Sequence, residues 1–189
     1  VGFHPMVELP MTFFTGITGQ MGIHQFLFLE RAEGYGNAIM KQYNFDKNDC
    51  MWIFSHTGIN NVNIDVALEA KRQGMTVIVY GSAAEAKGKT TRHPSGKTIF
   101  EIADIVVDSC VPVVDASVIL KNHQDKIGPV STHAFVTLVW MTITTVAEIL
   151  ADRGVHLYIH PSHNVPGDTT AHERLDACLL EYKQRVSKL

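Results

Sequence analysis

Cysteine is sparse. Cys50, Cys110 and Cys178 are the whole set in 189 residues, and they stand far apart at no metal-ligand spacing. So odd and scattered a trio argues against a disulfide framework and fits a reducing compartment. A basic stripe is also lacking, and the net charge of −3 argues against a chain built to grip nucleic acid. No run approaches the roughly 18 apolar residues of a membrane span. The longest apolar-rich stretch, Ala134 to Leu150, is interrupted by threonines and Glu148. The opening VGFHPMVELP has neither an initiating Met nor the basic-then-apolar order of a signal peptide, as in a fragment or a processed form. These absences predict a cytoplasmic protein with no membrane partner.

What remains is ordinary globular composition, 46% hydrophobic and 19% charged. A chain of this length predicts one domain over 1–189. Met51 to Phe54, Val77 to Tyr80 and Ile105 to Val107 are short apolar runs bounded by turn residues, the pattern of buried parallel strands. Between the first two, residues 62–73 place Val62, Val66 and Ala70 at helical spacing, and Gly74 is a C-terminal stop. Strand, helix and strand make a βαβ unit, so the fold class is α/β. Residues 24–42 read as helical, with Phe26, Leu29, Ala38 and Ile39 apolar and with Gly34 and Gly36 weakening the middle. Val130 to Asp152 reads as a long apolar helix, expected in a core or against a second copy of the chain. Residues 169–187 read as a charged amphipathic helix with Leu175, Leu179 and Val186 on one face.

Function is concentrated in Ser55-His56-Thr57-Gly58-Ile59-Asn60. An apolar strand stops there and a helix begins at about Val62, so free backbone N–H groups and the positive end of the helix dipole converge on small hydroxyl and amide side chains. That pattern predicts an anion site, and a solvated helix-capping turn is its plain alternative. Tyr80-Gly81-Ser82 ends a second strand at the same sheet edge, where ligands of doubly wound sheets bind. Neither loop is a P-loop or a GxGxxG fingerprint, which favours a sugar phosphate over a nucleotide.

The stretch S-H-T-G-I-N resembles the S-x-S-G-x-T phosphosugar loop of the sugar isomerase (SIS) domain family, with Thr57 for the second Ser and Asn60 for the final Thr. An uncharacterised branch of that family, similar to phosphoheptose isomerase, resembles the chain over nearly its whole length. The matching motifs are Leu29 to Tyr35, Ala67 to Gly74, Arg92 to Lys97, Glu101 to Asp108, Gly128 to Thr132 and His172 to Leu175. The resemblance implies a flavodoxin-like three-layer sandwich with a five-stranded parallel sheet, assembled as a homodimer or homotetramer. It implies isomerisation of aldose and ketose phosphates, or binding of such sugars as regulators, with no cofactor. Two departures stand out. The family opens with a helix and a first strand that this sequence lacks, Val1 falling just beyond them, and His56 stands where relatives more often have Asn.

Isomerisation needs a base that moves a carbon-bound proton and an acid/base group at the sugar oxygens. Glu30 and Glu33, three apart in the L-E-R-x-E-G match, are candidates for the first, and Arg31 or Arg174 could instead pair with Glu30. His172, at the start of the last helix, is the candidate for the second, from a position that in related isomerases reaches a neighbour's site. The phosphosugar would sit on Ser55, His56, Thr57, Gly58 and Asn60, assisted by Ser82. Ser131 and Thr132 join if the Gly128–Thr132 turn faces the same crevice. His93 and Ser95, in the turn R-H-P-S-G, read as structural. His160-x-x-His163, with His156 and Asp168 nearby, carries only a weak metal pattern.

Overall fold

The computed structural model describes residues 23–162 and 164–186. The described residues divide into two compact units, the first running up to Val136 and the second from Thr137 onward. The first holds α1 (Ile23–Leu29), α2 (Tyr35–Met40), β1 (Cys50–Phe54), α3 (Asn61–Arg72), β2 (Thr76–Gly81), α4 (Ala83–Ala86), α5 (Ile99–Ile102), β3 (Ile105–Asp108), β4 (Ala116–Ile119) and β5 (Lys126–Pro129). Helix α6 (Ser131–Asp152) starts in that unit and continues into the second, which also contains α7 (Ala171–Val186).

Strands β1, β2 and β3 form a parallel sheet in that order, with Ile53 opposite Val79 and Tyr80 opposite Val107. Alternation splits the first two strands into two faces. Met51, Ile53, Val77 and Val79 join Ile64, Ala67 and Ala70 of α3 and Ile99 of α5 in one buried cluster. The opposite face is an aromatic ladder. Tyr80 stacks on Phe54 with ring centroids 4.9 Å apart, and Phe135, on the first turns of α6, lies 6.0 Å from Phe54. Helical residues thus cover both faces, the arrangement that fully apolar parallel strands require.

The three expected strands and the α3 helix are present. Helix α3 ends as its sequence dictates: Gly74 adopts φ +80°, its N–H donates to Lys71, and the Met75 N–H donates to Ala70. This left-handed stop satisfies two of the helix's last carbonyls at a conformation glycine tolerates.

Four expectations change. Residues 24–42 are two helices rather than one, because Gly34 takes a left-handed conformation between them. Among the described residues the parallel sheet has three strands, not five, and β4 and β5 pair antiparallel in a separate ribbon. Lys126–Pro129 belongs to that ribbon, so the turn expected at Gly128–Thr132 is a strand end followed by a helix start.

The fourth concerns α6, expected in a core or against a second copy: among the described residues only its Ser131 is buried, and Val136, Trp140, Met141, Val146 and Ile149 are exposed. By length and composition, its 22 residues are also enough to cross a membrane, a measure that core helices of soluble proteins pass as well. In α7, Leu175 is half-buried and Leu179 exposed. The side chain of Val186 lies outside the described residues.

Candidate functional site at the head of helix α3

The loop after β1 is fastened through its carbonyls. His56 O accepts from Ser82 N, Gly58 O from Ile99 N, Ile59 O from the Thr91 hydroxyl, and Asn60 O from Ile64 N. The donors are used differently. Among the described residues, the N–H groups of His56, Thr57 and Ile59 donate to nothing, while Gly58 N donates to Ser55 Oγ at 3.1 Å. A loop that turns its acceptors inward and leaves donors unspent, at the N-terminus of a twelve-residue helix, is built to attract an anion. Gly58 is required by space as well as by its φ of +68°: a Cβ there would stand 2.3 Å from the Phe100 ring.

Glu30 is brought to this loop from the turn after α1. Its carboxylate accepts from Asn60 Nδ2 at 3.0 Å and pairs with Arg31 Nη1 at 3.0 Å, and its carbonyl accepts the Val62 N–H. Asn61 fastens the same turn through Nδ2 to Arg31 O at 2.9 Å. Of the two candidate partners, Arg31 is the one Glu30 meets. Arg174, in the second unit, pairs with Asp168. Glu33 is exposed in the turn.

His56 lies among carboxylates. Its Nε2 is 3.9 Å from Glu85 Oε2, and neither ring nitrogen, both buried, makes a hydrogen bond. A buried polar atom without a partner costs about 1–3 kcal/mol, a penalty that a ligand oxygen would relieve. Lys89 is the main cause that holds the Glu85 carboxyl below the usual range, with burial opposing and Val114 N–H and His56 contributing. Asp115 is the second carboxylate close enough to feel His56. Burial pushes its carboxyl up, but the Ser131 hydroxyl, the Ser131 and Val130 N–H groups and His56 together bring it below the ordinary value.

Two candidate hydroxyls are already occupied. Ser82, fully buried, donates to Val111 O at 2.6 Å and accepts from Glu85 N, capping α4. Ser131 donates its hydroxyl to Asp115 Oδ2 at 2.5 Å and its N–H to Asp115 Oδ1 at 2.7 Å. Thr132 is exposed on the first turn of α6. His172 is exposed near the start of α7, in the second unit. Ser55, His56, Thr57, Gly58, Asn60 and Glu30 are therefore the predicted residues that the first unit gathers at one helix end.

Sequence reasoning missed Glu85, Asp115 and Asp65. Asp115 meets Ser131 across sixteen residues, with no local signal of the pairing. Asp65 did leave a trace: it is an acidic residue on the apolar face that Val62 and Val66 define, and it is buried. His163 lies outside the described residues. Among those described, no three His, Cys, Asp or Glu side chains group as a metal site.

Residues 1–82 match the family model described as the SIS domain, a span that contains the Ser55–Asn60 loop. The chain is similar to a UPF0309 protein of Shouchella clausii, 33% identical over 78% of this chain and 60% of the relative. A UPF0309 protein of Oceanobacillus iheyensis is 34% identical over 84% of this chain and 63% of the relative. A third, from Streptomyces coelicolor, is 33% identical over 84% and 62%. The chain thus spans about three fifths of the length of these relatives. The α/β fold, with its three-stranded parallel sheet flanked by helices, accords with the flavodoxin-like sandwich that the SIS motifs imply.

Proposed function

We propose that this protein binds a sugar phosphate at the Ser55–Asn60 loop and isomerises it between aldose and ketose forms, in the manner of phosphoheptose isomerase. The observation that carries the reading is the loop's division of labour, with carbonyls fastened inward and N–H groups unspent at the head of α3. The SIS match over the same residues supports it. The phosphate takes the N–H groups with the Ser55 and Thr57 hydroxyls, and His56 offers an unpartnered ring nitrogen to a sugar oxygen. Glu30, held against Asn60, is the carboxylate nearest in role to the proton-moving base. His172 of a neighbouring copy serves the sugar oxygens, and the reaction needs no cofactor because only protons move. The protein works in the cytoplasm as a homodimer or homotetramer, a state supported by the apolar surface that α6 leaves exposed.

Turnover of a panel of aldose and ketose phosphates by the full chain tests this. Glu30→Gln should retain binding and lose turnover, and Thr57→Trp should lose both. Binding without turnover across the panel rejects the isomerase. One observation favours a second reading, a sugar-phosphate-binding regulator: Glu30 is already engaged by both Arg31 and Asn60, the partners of a structural carboxylate.

A further inference from the structure

A second constellation lies one helical turn along α3 and belongs to no part of the sugar-phosphate reading. Asp65 is buried, and its oxygens accept from Gly36 N at 3.1 Å and from His93 Nε2 at 3.0 Å. On the other side of the ring, His93 Nδ1 lies 2.8 Å from Ser95 Oγ. The His93 side chain is 8% exposed and that of Asp65 4%, whereas Ser95 is exposed. A buried carboxylate, a mostly buried imidazole and the hydroxyl of an exposed serine, whose oxygen also accepts from Lys97 N at 3.2 Å, therefore stand in hydrogen-bonded series.

The tautomer follows from the donors. Ser95 N–H donates to His93 Nδ1 at 3.1 Å, so in the neutral ring Nδ1 carries no proton. The ring proton sits on Nε2 and is donated to Asp65. Nδ1 can then accept the Ser95 hydroxyl, the polarity that makes a serine oxygen more nucleophilic. The turn is rigidly held. Pro94 fixes its second position, Gly96 N donates to His93 O at 2.9 Å, and Thr91 takes the His93 N–H while donating to Ile59 O. Relative to serine hydrolases the two ring nitrogens exchange roles, but nucleophile, base and orienting carboxylate keep theirs.

We propose that Ser95 is an activated nucleophile that takes an acyl group from small carboxylic esters, with His93 as its base and Asp65 as the positioning residue. Ser95 Oγ attacks the ester carbonyl carbon and its proton passes to His93 Nδ1. The carbon–oxygen bond to the alcohol breaks as His93 returns that proton to the departing oxygen, leaving acyl-Ser95. Water then adds to the acyl carbon, giving one proton to His93, which hands it to Ser95 Oγ as the carboxylic acid leaves.

A fluorophosphonate probe tests the nucleophile, since attack forms a phosphorus–oxygen bond at Ser95 and expels fluoride. Intact mass of the full chain should show one adduct, mapped by peptide sequencing to Ser95, and p-nitrophenyl acetate should give a burst of one equivalent of p-nitrophenol. Ser95→Ala, at an exposed position, should melt like the parent and take up no probe. His93→Gln and Asp65→Asn should slow labelling by about 10²–10⁴-fold, measured on samples whose melting curves show a folded protein. If either variant fails to fold, the wild-type and Ser95→Ala comparison still decides. No adduct on the parent chain, an adduct elsewhere, or equal labelling of Ser95→Ala overturns the proposal.

Discussion

Helix α3 carries amides and charges along its length, yet seven of its twelve residues are buried. Helix α6 is far more apolar, yet of its 22 residues Ser131 alone is buried. Burial follows neighbours rather than composition. The α3 helix has β1, β2, α2 and α5 against it, and even its polar Asn61 and Asp65 are drawn inside because each has a partner: Arg31 O for one, Gly36 N and His93 for the other. The α6 helix meets Phe54 through Phe135 and is anchored by Asp115 at its first turn. Beyond that turn it shows Trp140, Met141, Val146 and Ile149 to its surroundings. Exposed apolar surface of this kind is what the proposed assembly would cover.

Mutations should separate the two helices in graded fashion. Ile64→Ala, on the fully buried side of α3, should lower stability by about 2–5 kcal/mol through lost contacts and the cavity left behind. Its denaturation midpoint should fall well below that of any single truncation on α6, and equal losses would remove the contrast between the helices.

Gly58→Ala at the head of α3 should come next. The left-handed backbone alone costs about 1–2 kcal/mol, and the new Cβ would press on Phe100. Calorimetric titration with sugar phosphates should show that binding is lost along with some stability.

Asp115→Ala should cost about 1–3 kcal/mol, because it strands the Val130 and Ser131 N–H groups at the buried start of α6. Acid should act in the same direction. The Asp115 carboxyl is lowered in the folded state, so its contribution is present above the ordinary value of 3.8 and fades as pH falls through the lowered one. Thermal melts from pH 6 downwards should show this acid limb in the parent and a flatter one in the variant.

Met141→Lys should be mildest for the folded chain, within about 0.5 kcal/mol for an exposed position. Its effect should appear in light scattering, as a shift of the proposed assembly toward monomer. An unchanged molar mass would show that this face of α6 is not the contact.

The parts legible in the sequence are those governed by local pattern. Val77 to Tyr80 is β-branched and bounded by turn residues, Ala70 to Gly74 carries its own stop signal, and Ser55 to Asn60 breaks an apolar run with hydroxyls and amides. Backbone sterics and strand alternation act over a few residues, so a few residues suffice to read them. The illegible parts depend on what comes from far along the chain. Ser82 and Ser131 look like free hydroxyls at strand and helix ends, yet Val111 and Asp115 engage them from 29 and 16 residues away. His93 and Ser95 read as an ordinary turn because Asp65, which gives the histidine its direction, lies 28 residues earlier.

The sequence by itself determined the parallel strands, the βαβ unit and the hydroxyl- and amide-rich loop at a helix start, since each follows from dihedral preference and apolar spacing within a short window. Only the tertiary structure decided which loop atoms stay available. Long-range hydrogen bonds turn the carbonyls of His56, Gly58 and Ile59 inward, bring Glu30 onto Asn60 and align Asp65, His93 and Ser95. Hydrogen bonds act over about 3 Å, and only the fold brings such distant residues within that reach.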